Sequence, residues 1–253
     1  MTHPYLDHPA PIAFAHRGGT SRAPENTLAA FEYAVSLGYR YVETDIHLTS
    51  DGVLLAFHDP DLSRTCNDPR RISEHRWDDL KHVRVAGVEP IPRLDDLLWT
   101  WPDLRVNIDC KSDATVEPLA QLIRKNPSLL SRICVGSFSD ARLDALRAEF
   151  GPSLCTSMGP KAVARLVASA YLPRTGAKRD AAHAAQIPVR QGPIPVTTRR
   201  LIERAHRESI AVHVWTVDDP VQISRLLDAG VDGIMSDDIH ALKDVMTTRG
   251  VWA

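Results

Sequence analysis

Four short segments hold side chains whose types and spacing suit chemistry. The run IAFAHRGG ends on His16 and Arg17, YVETDIHL carries Glu43 and Asp45 two residues apart, LLAFHD ends on His58, and NIDCK carries Asp109 and Lys111. Positions two apart on a strand share a face, so Glu43, Asp45 and His47 point one way while Val42, Thr44 and Ile46 point the other; Asn107, Asp109 and Lys111 align likewise. Taken alone, the ExD pair is equally a hydrogen-bonded pair of strand-end acids. Asp109, contributed by a second strand, tilts the reading toward a cation site, because desolvation and mutual repulsion disfavour three crowded carboxylates unless positive charge joins them. Such oxygen donors suit one hard divalent ion, Mg²⁺ or Ca²⁺, completed by water and a phosphate oxygen. Two histidines beside it supply one proton acceptor and one proton donor for phosphoryl transfer, and Arg17 and Lys111 offset the charge of the phosphate oxygens. The other histidines considered, His3, His8, His75, His82, His183, His206 and His240, carry no such context and read as structural or surface residues.

These residues need elements that bring distant segments to one place. Strand-like runs are expected at 12–16, 41–48, 104–110, 133–138, 154–158, 186–189, 210–217 and 233–236. They alternate with amphipathic stretches such as NTLAAFEYAVSLG (apolar Leu28, Phe31, Val35), ATVEPLAQLIRKN, DARLDALRAEFG and TTRRLIERAHRES, several with a capping residue at the start and Gly near the end. Eight βα units make an α/β protein, a TIM (β/α)8 barrel, whose active face lies at the C-terminal strand ends. The stretch YLPRTGAKRDAAHAAQ shows no clear period and is the weakest part of this reading. After the second strand, SDG followed by VLLAFHD reads as a tight turn and a returning strand, and residues 60–93 as an insertion over the barrel mouth within one domain spanning 1–253.

Composition excludes several other classes. A formal net charge of −2 with 25% charged residues gives no basic field for nucleic acid. No run approaches the roughly 20 apolar residues of a membrane span, and Cys66, Cys110, Cys134 and Cys155 lack close spacing, so reduced cysteines and a cytoplasmic location are expected.

HRGGTSRAPENTLAAF, ETDIHLTSDGVLLAFHDPDLSRT, NIDCK, VWTVD and GVDGIMSD follow one another in the order of known motifs, and over about residues 12–240 the chain resembles the glycerophosphodiester phosphodiesterase family. The resemblance implies a TIM barrel and metal-dependent hydrolysis of a small-molecule glycerophosphodiester to an alcohol and sn-glycerol 3-phosphate. It also implies His16 as proton acceptor, His58 as donor, Glu43, Asp45 and Asp109 as metal ligands, and Arg17 and Lys111 facing phosphate. Trp215 resembles an aromatic beside the glycerol end, with a plain core Trp as the other reading; Ser137 and Phe138 either line the pocket or pack. Asn26 is expected to cap the first helix, His47 to support the site or lie at the surface, and Gly18 and Gly19 to permit a tight turn and close approach to phosphate. The family more often has Glu at the position of Asp109, and RTCN and WTVD replace its more usual RTT and WTVN. The short basic insertion favours small head groups. A sphingomyelinase D-like lyase releasing a cyclic phosphate and a non-catalytic phosphodiester-binding barrel are the alternatives. The residues select no particular head group and no oligomeric state.

Overall fold

Apolar runs of four to eight residues separated by amphipathic helices can bury both strand faces only as a parallel sheet covered by helices. In the structure, a computed structural model describing residues 3–9, 11–171 and 181–253, that is the arrangement. Its parallel strands are β1 (Ile12–His16), β2 (Tyr41–Leu48), β3 (Arg105–Cys110), β4 (Ile133–Gly136), β5 (Cys155–Thr156), β6 (Ala184–Pro188), β7 (Ala211–Trp215) and β8 (Gly233–Ser236). They pair in the order β5-β4-β3-β2-β1-β8-β7-β6. A parallel bridge between Ser157 and Ala184 joins the two ends, the Met158 N–H donating to the Ala184 carbonyl at 2.7 Å, and closes a TIM barrel. The intervening helices are α1 (Leu28–Ser36), α2 (Leu94–Thr100), α3 (Val116–Lys125), α4 (Asp140–Phe150), α5 (Pro160–Tyr171), α6 (Arg199–Arg207), α7 (Pro220–Ala229) and α8 (Ile239–Thr248).

Three expected strands match residue for residue, and the others differ at their ends. The fourth stops at Gly136 because the chain turns there, the Ser137 hydroxyl donating to the Cys110 carbonyl at 2.9 Å. The sixth begins earlier than expected, at Ala184, inside the alanine-rich stretch whose pattern carried no period; residues 172–180 of that stretch lie outside the described residues.

The two faces of each strand separate as period two requires. Ala15, Val42, Ile46, Val106 and Ile108 join the large core beneath the helices, whereas Ile12, Phe14, Tyr41, Cys134 and Met235 meet inside the barrel. Along β1 and β2 the inward residues change from apolar to charged toward the C-terminal end: Ile12 and Phe14 lead to His16, and Tyr41 leads to Glu43 and Asp45. All four cysteines are free, and three are buried. No helix among the described residues is long and apolar enough to cross a membrane.

After β2 the strand Leu54–Ala56 returns antiparallel, with Ala56 opposite Ile46. Residues 60–93 then form the short helices Ser63–Cys66 and Trp77–Leu80 and a two-residue ladder of Arg84–Val85 with Glu89–Pro90, pieces too short to show a period. They enclose a separate small core in which Leu62, Ile72, Leu80 and Val85 pack with Leu55 of the return strand and Phe57 just after it.

His213, inside the barrel on β7, is fully buried against Phe14 (ring centres 4.9 Å apart), and neither ring nitrogen has a hydrogen-bond partner. Burial pushes its pKa down to about 4, outweighing the pull of Asp232. The unfolded chain, with an ordinary histidine pKa near 6.5, therefore binds one more proton than the folded chain between these two values, and stability falls as pH drops through that window. Urea unfolding at pH 7 and pH 5 is expected to show wild type losing about 2 kcal/mol more than His213→Leu over that interval; equal losses would refute the assignment.

Candidate active site

Strand register assembles the charged residues. His16 on β1 lies opposite Glu43 on β2, and Asp45 on β2 lies opposite Asp109 on β3, all at the C-terminal end of the barrel. Glu43, Asp45 and Asp109 are each at most 8% exposed. Carboxylates at this spacing and depth repel unless cations reach them. Lys111, two residues beyond Asp109, places its Nζ 2.7 Å from both Asp45 Oδ1 and Asp109 Oδ2. Arg17 approaches from the other side, its Nε 3.1 Å from Asp45 Oδ2 and its Nη1 3.0 Å from Glu25 Oε1. Burial would raise the Asp45 pKa, but Lys111 and Arg17 outweigh it and hold the carboxyl below its ordinary value. Glu43 has no such partner. Burial, then repulsion from Asp45, pushes it up to about 8 against the pull of His16 and Arg17.

Arg17 holds this position with φ at 52°, in the left-handed region where a non-glycine residue is strained by roughly 1–3 kcal/mol. The next two residues explain the turn. A Cβ on Gly18 would stand 2.8 Å from the Ala30 Cβ on α1, and one on Gly19 would stand 2.8 Å from Ile239 on α8. These glycines thus serve the close approach of two helices, a packing role the phosphate expectation did not include. The expected cap is also corrected: Thr27 caps α1, its hydroxyl accepting from the Ala30 N–H at 3.2 Å. Asn26 instead joins the site, donating from Nδ2 to Asp45 Oδ2 at 3.2 Å and accepting at Oδ1 from the Thr44 hydroxyl at 2.8 Å. The competing hydrogen bond to a buried carboxylate has taken its amide from the helix.

Each of the two singled-out histidines is anchored through Nδ1. His16 Nδ1 donates to Asp237 Oδ1 at 2.7 Å, leaving Nε2 facing Glu43 Oε2 at 3.6 Å. Burial would lower its pKa, but Glu43 and Asp237 outweigh that and raise it. His58 Nδ1 donates to Asp59 Oδ1 at 2.6 Å. His58 follows the return strand, where the Phe57 N–H donates to the Asp45 carbonyl at 2.9 Å, so it stands over the end of β2 within electrostatic reach of Asp45. His47 is buried rather than at the surface, and its Nε2 donates to the His58 carbonyl at 3.0 Å. Burial lowers its pKa, keeping the ring neutral.

An aromatic wall borders Lys111. Phe138, 68% exposed, lies with its ring centre 5.9 Å from Lys111 Nζ and meets the half-buried Trp215 edge-on at 5.7 Å. Ser137 faces away, bonded to the end of β3. Asp237, Glu25 and Arg64 escaped the sequence reading. Asp237 was signalled by its place directly after β8, where barrel sites form; Glu25 and Arg64 are paired across 39 residues of sequence and gave no local sign.

Among the described residues, no three His, Cys, Asp or Glu side chains stand at metal-holding spacing, since the Lys111 ammonium lies between Asp45 and Asp109. Yet Glu43 Oε2 and Asp109 Oδ1 are buried without any hydrogen-bond partner. An all-oxygen donor set with two orphaned carboxylate oxygens and a repelled Glu43 fits a hard divalent cation.

Residues 16–241 match the model of the "Glycerophosphoryl diester phosphodiesterase family". The chain is 37% identical to a Mycobacterium tuberculosis protein named "Probable glycerophosphodiester phosphodiesterase 2", over 98% of this chain and 95% of that one. It is 30% identical to a glycerophosphodiester phosphodiesterase of Caldanaerobacter subterraneus, over 94% and 99% of the two chains. Two solved structures share the fold: a glycerophosphodiester phosphodiesterase from Agrobacterium tumefaciens (TM-score 0.75, 25% identity, 94% and 99% covered) and an Oleispira antarctica phosphodiesterase in complex with the product sn-glycerol-3-phosphate (TM-score 0.76, 20% identity, 94% and 97% covered). With the family model spanning nearly the whole chain and the barrel shared, this protein belongs to the glycerophosphoryl diester phosphodiesterase family and is a phosphoric diester hydrolase.

Proposed function

We propose that the chain hydrolyses a small glycerophosphodiester to an alcohol and sn-glycerol 3-phosphate, with His16 and His58 moving the protons. The observation that carries this reading is the meeting, at one barrel mouth, of two histidines each anchored through Nδ1 to a carboxylate with a cluster of acids and cations. A ring so anchored keeps one tautomer and presents Nε2 for proton exchange. His16 Nε2 takes the proton of the attacking oxygen, of water or of the glycerol 2-hydroxyl, and His58 Nε2 gives one to the departing alcohol oxygen, the two acting on opposite sides of phosphorus in an in-line displacement. A cyclic phosphate formed by the 2-hydroxyl is then opened by water to sn-glycerol 3-phosphate, the two rings exchanging roles. Arg17 and Lys111 hold the phosphate oxygens by charge-assisted hydrogen bonds. Glu43, Asp45 and Asp109 are the residues that would hold one Mg²⁺ or Ca²⁺, which when bound supplies fixed positive charge and Lewis acidity beside those oxygens.

The product held by the Oleispira antarctica relative supports a substrate of this size and class. The exposed Phe138 and half-buried Trp215 provide an apolar side for the glycerol end. Residues 1–253 are taken as one barrel domain with residues 60–93 as its insertion, and the four free cysteines support a cytoplasmic setting. The hydrolase names of the relatives do not favour the cyclising lyase or the non-catalytic barrel.

Alcohol release from a panel of glycerophosphodiesters tests the activity. His16→Ala and His58→Ala are each expected to lower kcat by about 100-fold or more while thermal unfolding stays cooperative near the wild-type midpoint; near-normal turnover in either removes that residue from the mechanism. Dialysis against EDTA is expected to abolish turnover and lower the unfolding midpoint, with Mg²⁺ or Ca²⁺ restoring both. Full activity and an unchanged midpoint after chelation would eliminate the ion.

A further inference from the structure

An unbroken run of ion pairs crosses the site, and one residue stands at its middle. Arg64 Nε donates to Asp59 Oδ2 at 2.5 Å, while Nη2 and Nη1 donate to Glu25 Oε1 and Oε2 at 2.7 and 2.9 Å. Beyond Asp59 lies His58, bonded through Nδ1; beyond Glu25 lies Arg17, whose Nε is ion-paired in turn with Asp45 at 3.1 Å. We infer that Arg64, carried by the insertion, is a positioning residue that fixes both halves of the site at once, holding Asp59 against the His58 ring and Glu25 against the Arg17 guanidinium. This rests on the reading of the site given above.

Three observations argue for positioning rather than stability. The Arg64 side chain is 48% exposed, and a pair so open to water contributes little to folding. Its geometry, however, is specific: a planar fork engages both oxygens of Glu25 while Nε reaches a second carboxylate, a pattern that an ammonium cannot reproduce. Its backbone is also held. The helix Ser63–Cys66 starts from Asp61 Oδ1, which accepts from the Ser63 N–H at 3.0 Å, and is tied by the Ala86 N–H donating to the Thr65 carbonyl at 2.6 Å, above a floor of Leu62, Ile72 and Val85. The insertion thereby gives one arginine a fixed seat at the mouth. Without it, Asp59 loses the donor that orients its second oxygen, and the His58 ring loses its fixed acceptor. Glu25 is left bonded to Arg17 alone.

The test combines ring spectroscopy with kinetics. Long-range ¹H–¹⁵N spectra of the free enzyme, recorded at a pH high enough that the ring is neutral, are expected to show His58 with its proton on Nδ1 in wild type and a tautomer mixture in Arg64→Ala. In Arg64→Ala, kcat falls by roughly 10- to 100-fold with the unfolding midpoint unchanged, and Arg64→Lys, able to reach one carboxylate, recovers part of it. Arg64→Ala added to Asp59→Asn and Glu25→Gln together costs less than twofold more, because the residue acts only through those two. Unchanged His58 signals, or a full additional loss in the combined variant, would overturn the inference while leaving the site intact. His58→Ala measured in parallel separates the two failures: if it retains turnover, the reading of the site itself is wrong, and if it does not while Arg64→Ala is normal, only the tie is.

Discussion

Two buried carboxylates opposite each other on adjacent parallel strands are the constraint from which the mouth of this barrel is built. Neighbouring strands lie about 4.8 Å apart, and register sets Asp45 against Asp109. Such a pair is tolerable only with positive charge beside it. Lys111 reaches both acids from β3, and Arg17 reaches Asp45 from β1 at the cost of a left-handed backbone. Asn26 leaves its helix to donate to the same carboxylate. Glu43, one step deeper on β2, is not reached by either cation at hydrogen-bond distance, and its raised pKa records what Asp45 avoids.

The barrel makes this concentration of charge affordable by separating it from the core along its axis. Inward positions at the starts of β1 and β2 are aromatic or aliphatic, Phe14 and Tyr41 among them, and the face turns polar at His16 on β1 and from Glu43 onward on β2. Outward positions are mostly apolar and pack beneath the helices, Thr44 being an exception whose hydroxyl bonds Asn26. Because every strand runs the same way, the polar ends coincide, and groups from β1, β2, β3 and β8 meet without crossing the apolar layer.

What the sequence disclosed follows the same division. Period two on YVETDIHL and NIDCK was enough to place Glu43, Asp45 and Asp109 together, and the spans of β1, β2 and β8 were legible to the residue because each is a short strand-like run ended by charge or by a turn. Partners chosen by tertiary approach were not legible: Asp237 meets His16 across 221 residues, and Arg64 meets Glu25 across 39. Asn26 was misread because Asn and Thr are both good caps, and only the position of Asp45 decides which one leaves the helix. β6 was blurred because its alanines give neither a strand-like nor a helix-like contrast. Lys111 was read toward phosphate alone, whereas its ammonium also balances two acids of its own chain.

The two histidines reach the site by different mechanical routes. His16 ends a central barrel strand, bonded to neighbours on both sides, and its anchor Asp237 follows another strand, so the wall itself fixes the ring. His58 lies beyond a three-residue return strand paired to β2 on one side, where a short hairpin alone gives little rigidity. The missing support comes from below and from the side: His47 holds the His58 carbonyl, Phe57 sits in the small core of the insertion, and Asp59 is held by Arg64. A ring that must hold its orientation at the end of so short a strand needs such a scaffold, which gives the otherwise irregular residues 60–93 a physical reason to fold.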